Sequence, residues 1–318
     1  MNSAESDILS FPRACTILQA PPEFKSGFVG IIGRPNVGKS TLVNYLIGQK
    51  VAITSPIAQT TRNRLRGILT TPEAQLILVD TPGIQKPHHQ LGKVLIQNAK
   101  RAIESVDILL FVVDSTTECG AGDRYIAELL KKYPTPVILG VNKIDQDYTD
   151  SSEIDRSYAE LSETYSWQMV KFSAKMGTNL PQLQQLLIQN LEPGPYYYPP
   201  DLHTDQPEKF IMGELIREQI LLLTREEIPY SVAIAIDLVV ETSTITRIIA
   251  TINVERDSQK GILIGKGGLM LKTIGNKARK QIEKLVSGKV YLELFVKVKP
   301  KWRQSRIWLA ELGYSMQE

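Results

Sequence analysis

One eight-residue stretch restricts this chain more than any other. Gly33-Arg34-Pro35-Asn36-Val37-Gly38-Lys39-Ser40 has the spacing G-x-x-x-x-G-K-[ST], follows an apolar run at residues 27–32 and leads into a helical pattern at residues 41–47 that starts at Thr41. Strand, glycine-rich turn and helix in that order make a phosphate cradle. The loop turns its N–H groups inward, and the helix N-terminus adds the positive end of its dipole. Gly33 and Gly38 permit dihedrals and close approaches that a Cβ would obstruct. Lys39 is predicted to reach the β- and γ-phosphates of a nucleoside triphosphate, and the Ser40 hydroxyl to ligate Mg2+.

The surroundings fit a sheet that can present such a loop. Apolar runs at residues 76–79, 108–113 and 136–141 each end at a polar loop, with helical segments between them at residues 91–104 and 123–132. The alternation predicts an α/β fold, a mixed but mostly parallel sheet with helices on both faces. In such sheets the ligand lies beyond the carboxyl ends of the strands, which is where the remaining motifs fall.

Those motifs choose the nucleotide. Asn142-Lys143-Ile144-Asp145 follows the run at 136–141. A carboxylate only accepts hydrogen bonds. Asp145 can therefore take two parallel bonds from guanine N1–H and its 2-amino group, a donor pair that adenine lacks. Asn142 can bond the base and tie neighbouring loops, and the stem of Lys143 can cover the base plane. Ser173-Ala174-Lys175 follows a strand at 169–172, and the Ala174 N–H suits guanine O6.

Asp80-Thr81-Pro82-Gly83 ends the run at 76–79. Asp80 is predicted to hold Mg2+ through a water, and the Gly83 N–H to sense the γ-phosphate. Within Gln59-Thr60-Thr61-Arg62-Asn63, a threonine is predicted to ligate Mg2+ only when the γ-phosphate is present, and Thr61 is preferred to Thr60 because it directly precedes the arginine. Lys39, Thr61 and Gly83 are thus the expected catalytic set. Ras-like enzymes orient the attacking water with a glutamine after Asp-x-x-Gly. Ile84 stands there in this chain and cannot do so, which predicts slow intrinsic turnover.

The second half differs in charge. The net charge is +3, but residues 1–206 sum to −2 and residues 207–318 to +5, and residues 256–306 hold 14 basic and 3 acidic side chains. Such a block points to a polyanion. It contains Ile262-Leu263-Ile264-Gly265-Lys266-Gly267-Gly268, a G-x-x-G loop between two helical stretches, as in KH domains, where the loop clamps the backbone of about four nucleotides. Lys266 adds positive charge, Ile262 and Ile264 are predicted to floor a base-binding groove, and Lys272, Lys277, Arg279 and Lys280 line the following helix. Around this loop the sequence predicts a helix at 208–224, strands at 231–241, 246–254 and 290–299, and a last helix at 302–312. Trp302 stacks a base or packs in the core, and Arg303 and Arg306 face solvent or phosphate. The proline-rich stretch before this half, with Tyr196, Tyr197 and Tyr198, reads as a stiff linker whose tyrosines pack between the domains.

Other features bound the setting. Two cysteines, Cys15 and Cys119, make no disulfide framework and fit a reducing cytosol. No apolar run is long enough to span a membrane. His88 and His89 have no metal-ligand spacing to a second group and read as part of a switch loop.

The set GRPNVGKS, QTTRN, DTPG, NKID and SAK resembles the translation-factor-like branch of small GTPases. With the G-x-x-G loop and Lys297-Val298-Lys299-Pro300-Lys301-Trp302-Arg303-Gln304, the chain is identified as a member of the Era family over residues 27 to 314. These are GTPases of ribosome assembly with a C-terminal KH domain. The resemblance implies a flexible tail (1–26), a G domain (27–194), a linker (195–207) and a smaller α/β type II KH domain (208–318). It also implies a hydrophobic residue in place of the glutamine, as at Ile84, and K+ held by Asn36, which is otherwise a turn residue. The implied partners are GTP, GDP and the 3′ end of 16S rRNA in the small ribosomal subunit. The implied setting is a cytoplasmic monomer with peripheral membrane association. Two other readings stay open: a nucleotide switch with negligible hydrolysis, and a P-loop ATPase, against which Asp145 argues.

Overall fold

The computed structural model describes residues 19–57, 60–84, 90–146 and 152–314. Cys15, His88, His89 and most of the N-terminal tail lie outside the described residues.

The first half is built on a six-stranded sheet. In chain order the elements are β1 (Lys25–Ile32), α1 (Lys39–Ile47), β2 (Leu65–Thr70), β3 (Ala74–Asp80), α2 (Gln90–Glu104), β4 (Ile108–Asp114), α3 (Ala121–Leu130), β5 (Val137–Asn142), α4 (Ser152–Tyr165), β6 (Gln168–Phe172) and α5 (Leu180–Asn190). The sheet order is β2-β3-β1-β4-β5-β6, and only β2 runs antiparallel to its neighbour. The sequence reading missed β2, because Arg66 and Gly67 interrupt its apolar pattern and it sits at an edge. The central strands are continuous apolar runs because both faces are covered. Leu42 and Val43 of α1 and Leu183 and Leu187 of α5 pack on one face. Ala99 and Ala102 of α2, Ile126 and Leu130 of α3 and Tyr158 of α4 pack on the other. The register pairs Ile31 with Asp80, Asp114 with Asn142, and Asn142 with Phe172, so the strands end together along one rim.

The second half contains α6 (Glu208–Leu223), α7 (Ile228–Ser231), β7 (Ala233–Glu241), β8 (Thr246–Val254), α8 (Asp257–Ile264), α9 (Leu269–Leu285), β9 (Val290–Val298) and α10 (Arg306–Glu311). The sheet order is β7-β8-β9, with β8 antiparallel to β7 and parallel to β9. A parallel neighbour needs a crossover, and α8, the glycine loop and α9 supply it. Ile216 and Ile220 of α6, Leu263 of α8 and Ile274, Ala278 and Ile282 of α9 form its core with Ile248, Ile252 and Val296.

Four expectations change. The short helix α7 takes residues 228–231, so β7 starts at Ala233. The last helix is broken: a 3-10 turn at Trp302–Gln304 precedes α10, and Ser305 caps α10 by accepting the Trp308 N–H at 3.4 Å. Trp302 is fully buried, and its indole donates to Ser231 O at 2.8 Å. The three tyrosines lie on the first half rather than between the halves. Tyr196 packs on Phe24 and Tyr197 on Phe28, with centroids 4.4 and 5.1 Å apart. Buried Gln75 accepts the N–H groups of Tyr197 and Tyr198 at 2.8 and 3.0 Å. Arg303, expected free for solvent or phosphate, is instead half-buried in an ion pair with Glu255. Among the described residues no helix is long and apolar enough to cross a membrane.

Candidate functional site

The rim formed by the strand ends carries a cleft lined by Pro35, Asn36, Gly38, Lys39, Ser40, Thr41, Thr61, Gly83 and Lys143. Lys39 is nearly buried there, and its ammonium donates to the carbonyls of Gly33 and Arg34 at 3.3 and 2.9 Å. Burial lowers its pKa to about 8, opposed by Asp80. Gly38 opens α1 at φ 100°, and a Cβ there would sit 2.2 Å from Asn142 Nδ2, so only glycine lets the two loops meet.

Three oxygens converge beside Lys39. Ser40 Oγ donates to Asp80 Oδ2 at 2.6 Å, Thr61 Oγ1 to the same atom at 3.2 Å, and the two hydroxyls lie 2.9 Å apart. The neighbouring Thr60 hydroxyl turns away to Ile57 O at 2.6 Å. Burial raises the Asp80 pKa, opposed by Lys39, Ser40 and Thr61. Its Oδ1 is buried without a hydrogen-bond partner. A buried carboxylate with an orphan oxygen and two hydroxyls at hand fits a hard, oxygen-seeking cation. Thr81 Oγ1 donates to Ile31 O at 2.8 Å, and Ile84 N to Gly33 O at 3.2 Å. These bonds hold the Asp80–Gly83 loop against the phosphate loop. The Ile84 side chain is buried among Ala99, Ala102 and Phe111, away from the cleft.

The base side is pre-tied. Asn142 Nδ2 donates to Val37 O at 2.8 Å, and Asn142 Oδ1 accepts the Ala174 N–H at 2.9 Å. Asn142 ties the neighbouring loops as expected, while the Ala174 N–H, expected to suit guanine O6, is taken by the Asn142 side chain, and together they fasten three loops to one another. Asp145 keeps one carboxylate oxygen on Ser173 Oγ at 2.6 Å. Lys143 stands at φ 74° with its ammonium 2.5 Å from Asp114, a residue the sequence reading passed over although it ends β4 on the same rim. Arg34 reaches away from the cleft to Asp123 at 2.8 Å. Lys175 lies exposed beside Ser173.

In the second half the glycine loop has φ of 71° at Gly265, 59° at Gly267 and 77° at Gly268. At Gly268 the chain turns directly into α9 with open space around the missing Cβ. A groove runs from there between α9 and β9, lined by Gly268, Leu271, Lys272, Gly275, Asn276, Arg279 and residues 291–294. Lys272 and Arg279 are in it. Lys277 and Lys280 are exposed outside this lining. Ile262 is exposed and Ile264 half-buried, whereas Leu263 is the fully buried member of the run. Lys266 is exposed at the loop tip.

A family described as "50S ribosome-binding GTPase" matches residues 28–143, and a KH domain family matches residues 227–303. The chain is 73% identical to GTPase Era of Nostoc sp. over 316 residues, 99% of this chain and 98% of the relative. The chain belongs to the Era family of GTPases. GTPase Era of Synechocystis sp. is 62% identical over 304 residues, 95% of this chain and 96% of that one. Among solved structures, Era in complex with MgGDPNP and nucleotides 1506–1542 of 16S ribosomal RNA superposes with a TM-score of 0.88 at 38% identity, covering 92% of this chain and 99% of that one. A variant of Aquifex aeolicus Era bound to GDP.AlF4- does so equally well, with TM-score 0.88, 38% identity and coverage of 92% and 100%.

Within the Era fold, Leu271, Gly275 and Asn276 are the helix residues of the groove that the sequence reading missed, and they had a readable signal beside Gly268, Lys272 and Arg279, which it named. Gly268, Leu271, Lys272, Gly275, Asn276 and Arg279 repeat at the three- and four-residue spacing of one helix face.

Proposed function

We propose that this chain binds and hydrolyses GTP with Mg2+ and grips the single-stranded 3′ end of 16S rRNA in its KH groove, acting in assembly of the small ribosomal subunit. The observation that carries the nucleotide half is the meeting of Ser40, Thr61 and Asp80 around an unsatisfied Asp80 Oδ1. Ser40 and Thr61 would hold Mg2+, with Asp80 acting through a water. The ion supplies charge neutralisation on the β- and γ-phosphate oxygens. Lys39 sits ready to leave the carbonyls of Gly33 and Arg34 for a phosphate. Gly83, packed against Pro35, offers its N–H to the γ-phosphate. Asp145 reads guanine with the carboxylate edge left by Ser173. The RNA half is supported by the α9–β9 groove and by the 16S rRNA complex of the 38%-identical Era.

With Ile84 buried, no side chain at that position orients the attacking water. Hydrolysis then rests on backbone groups, on K+ at Asn36 or on a bound partner, and is slow in the isolated protein. The same observation favours a second reading, a GTP-gated RNA switch with negligible turnover. In either case the protein is a cytoplasmic monomer.

Phosphate release from GTP, with and without a 16S 3′-end oligonucleotide, in Na+ and in K+, tests the proposal. Stimulation by RNA or K+ supports an RNA-regulated enzyme. GTP binding without release in any condition leaves the switch, and ATP competing as well as GTP overturns both.

A further inference from the structure

The backbone carbonyl before Thr61 and the side chain after it are both held by the KH half. On one side, buried Arg217 of α6 donates through Nη2 to the carbonyl of Thr60. On the other, buried Arg62 donates to Val232 O at 2.6 Å and to Pro229 O and Tyr230 O at 3.0 and 3.2 Å. Because a peptide unit is planar, fixing the Thr60 carbonyl also fixes the Thr61 N–H. With Arg62 anchored next in the chain, Thr61 keeps little backbone freedom. Its hydroxyl is thereby aimed at Ser40 and Asp80.

Arg217 is itself set by Glu214, which accepts from its Nε and Nη2 at 2.8 and 2.5 Å. The adjacent α6 residue, Glu218, accepts the Thr54 N–H at 2.9 Å. Among the described residues no carboxylate forms an ion pair with Arg62; it lies over the rings of Trp302 and Tyr314, 5.9 and 5.8 Å from their centroids. Burying a guanidinium on carbonyls and rings is costly compared with an apolar contact. An interface selected only for adhesion gains nothing from it, whereas the planar fork fixes direction.

We propose that Arg217 and Arg62 are positioning residues for the GTP-state site: they hold Thr61 where it completes the Ser40–Asp80 cluster, so the first KH helix is a working part of the nucleotide machinery. This rests on the reading of Thr61 as a Mg2+ ligand engaged only when a γ-phosphate is present.

The experiment uses the full chain carrying Arg217→Met, Arg217→Lys or Arg62→Lys. It measures GTP and GDP affinity, half-saturating Mg2+ and kcat. Arg217→Met is expected to leave GDP affinity within about twofold while lowering kcat, or GTP affinity where turnover is negligible, roughly tenfold to a hundredfold. Half-saturating Mg2+ is expected to rise, and Arg217→Lys to recover part of each loss. Should Arg217→Met fail to fold, as seen by loss of GDP binding, Arg62→Lys is expected to show the same pattern. Equal losses for GTP and GDP in the folded variants, or no change, would overturn the assignment. A wild-type chain that binds GTP but never hydrolyses it would overturn the enzyme reading and not this one, because the GTP-to-GDP affinity ratio still reports on Thr61.

Discussion

Ser173 Oγ donates to Asp145 Oδ1 at 2.6 Å, which fixes the carboxylate plane before any base arrives. A pre-set acceptor edge discriminates well, since a base that cannot donate leaves a desolvated charge unpaired. Asp145→Asn is expected to weaken GTP binding by roughly tenfold to a hundredfold, the worth of one charge-assisted bond. It should also let xanthosine triphosphate, which has a carbonyl where guanine has its amino group, compete better than GTP. Competitive titration with both nucleotides checks this; an unchanged preference for GTP rules it out.

Lys39 makes nucleotide binding pH-dependent. Its pKa is lowered to about 8 by burial. Phosphate needs the charged form, so a neutral Lys39 must take up a proton on binding. GTP affinity is expected to be flat below pH 7.5 and to fall above pH 8, toward about tenfold per unit. The sign for folding is the reverse. A lysine charged in the unfolded chain but neutral in the folded one makes stability rise with pH between about 8 and 10.5. Titrations from pH 7 to 9 test the binding slope, and Lys39→Ala should lose both tight GTP binding and the slope while RNA binding persists.

The parts legible in the sequence are those whose chemistry sits in a few consecutive residues at a strand end: the phosphate loop, Asp80–Gly83, Asn142–Asp145 and the G-x-x-G turn. Each is set by local spacing and by the sheet rim that collects it. Arg217 and Thr60 are 157 positions apart, and nothing at either place marks the pairing. The loop-tying use of Asn142 was legible at the end of β5, but its partners, Val37 O and the Ala174 N–H, were not, because they depend on which loops the fold brings to the amide. Trp302 reads as a base-stacking residue or, more readily, a core one in a basic segment, and its burial against the carbonyl of Ser231 decides for the core. The last helix looked continuous because its break depends on Ser305 capping, a local choice that a helical apolar pattern masks.

Gln75 shows how the proline-rich stretch is held. It is fully buried, accepts two backbone N–H groups from Tyr197 and Tyr198, and donates to Tyr198 O at 2.9 Å. Gln75→Leu keeps the volume but strands those groups, at about 1–3 kcal/mol for each that stays buried. The variant is expected to unfold at a lower temperature and to be cut faster by a protease within residues 193–207. Unchanged protection there would show that the aromatic contacts with Phe24 and Phe28 suffice.

The RNA grip depends on geometry and charge at one position. Gly268 stands at φ 77°, where a side chain is strained by about 1–2 kcal/mol, and it opens α9 at the mouth of the groove holding Lys272 and Arg279. Gly268→Asp adds that strain and sets a carboxylate against the phosphates. RNA affinity is expected to fall at least tenfold while GTP affinity stays as it was, since Gly268 lines the α9–β9 groove and not the nucleotide cleft. The wild-type affinity should also fall with salt, with a logarithmic slope near −0.7 for each phosphate contacted. The variant's slope should be shallower if the carboxylate displaces a phosphate from the clamp. An equal slope with reduced affinity would assign the loss to backbone strain, and an unchanged titration would remove the glycine loop from the binding surface.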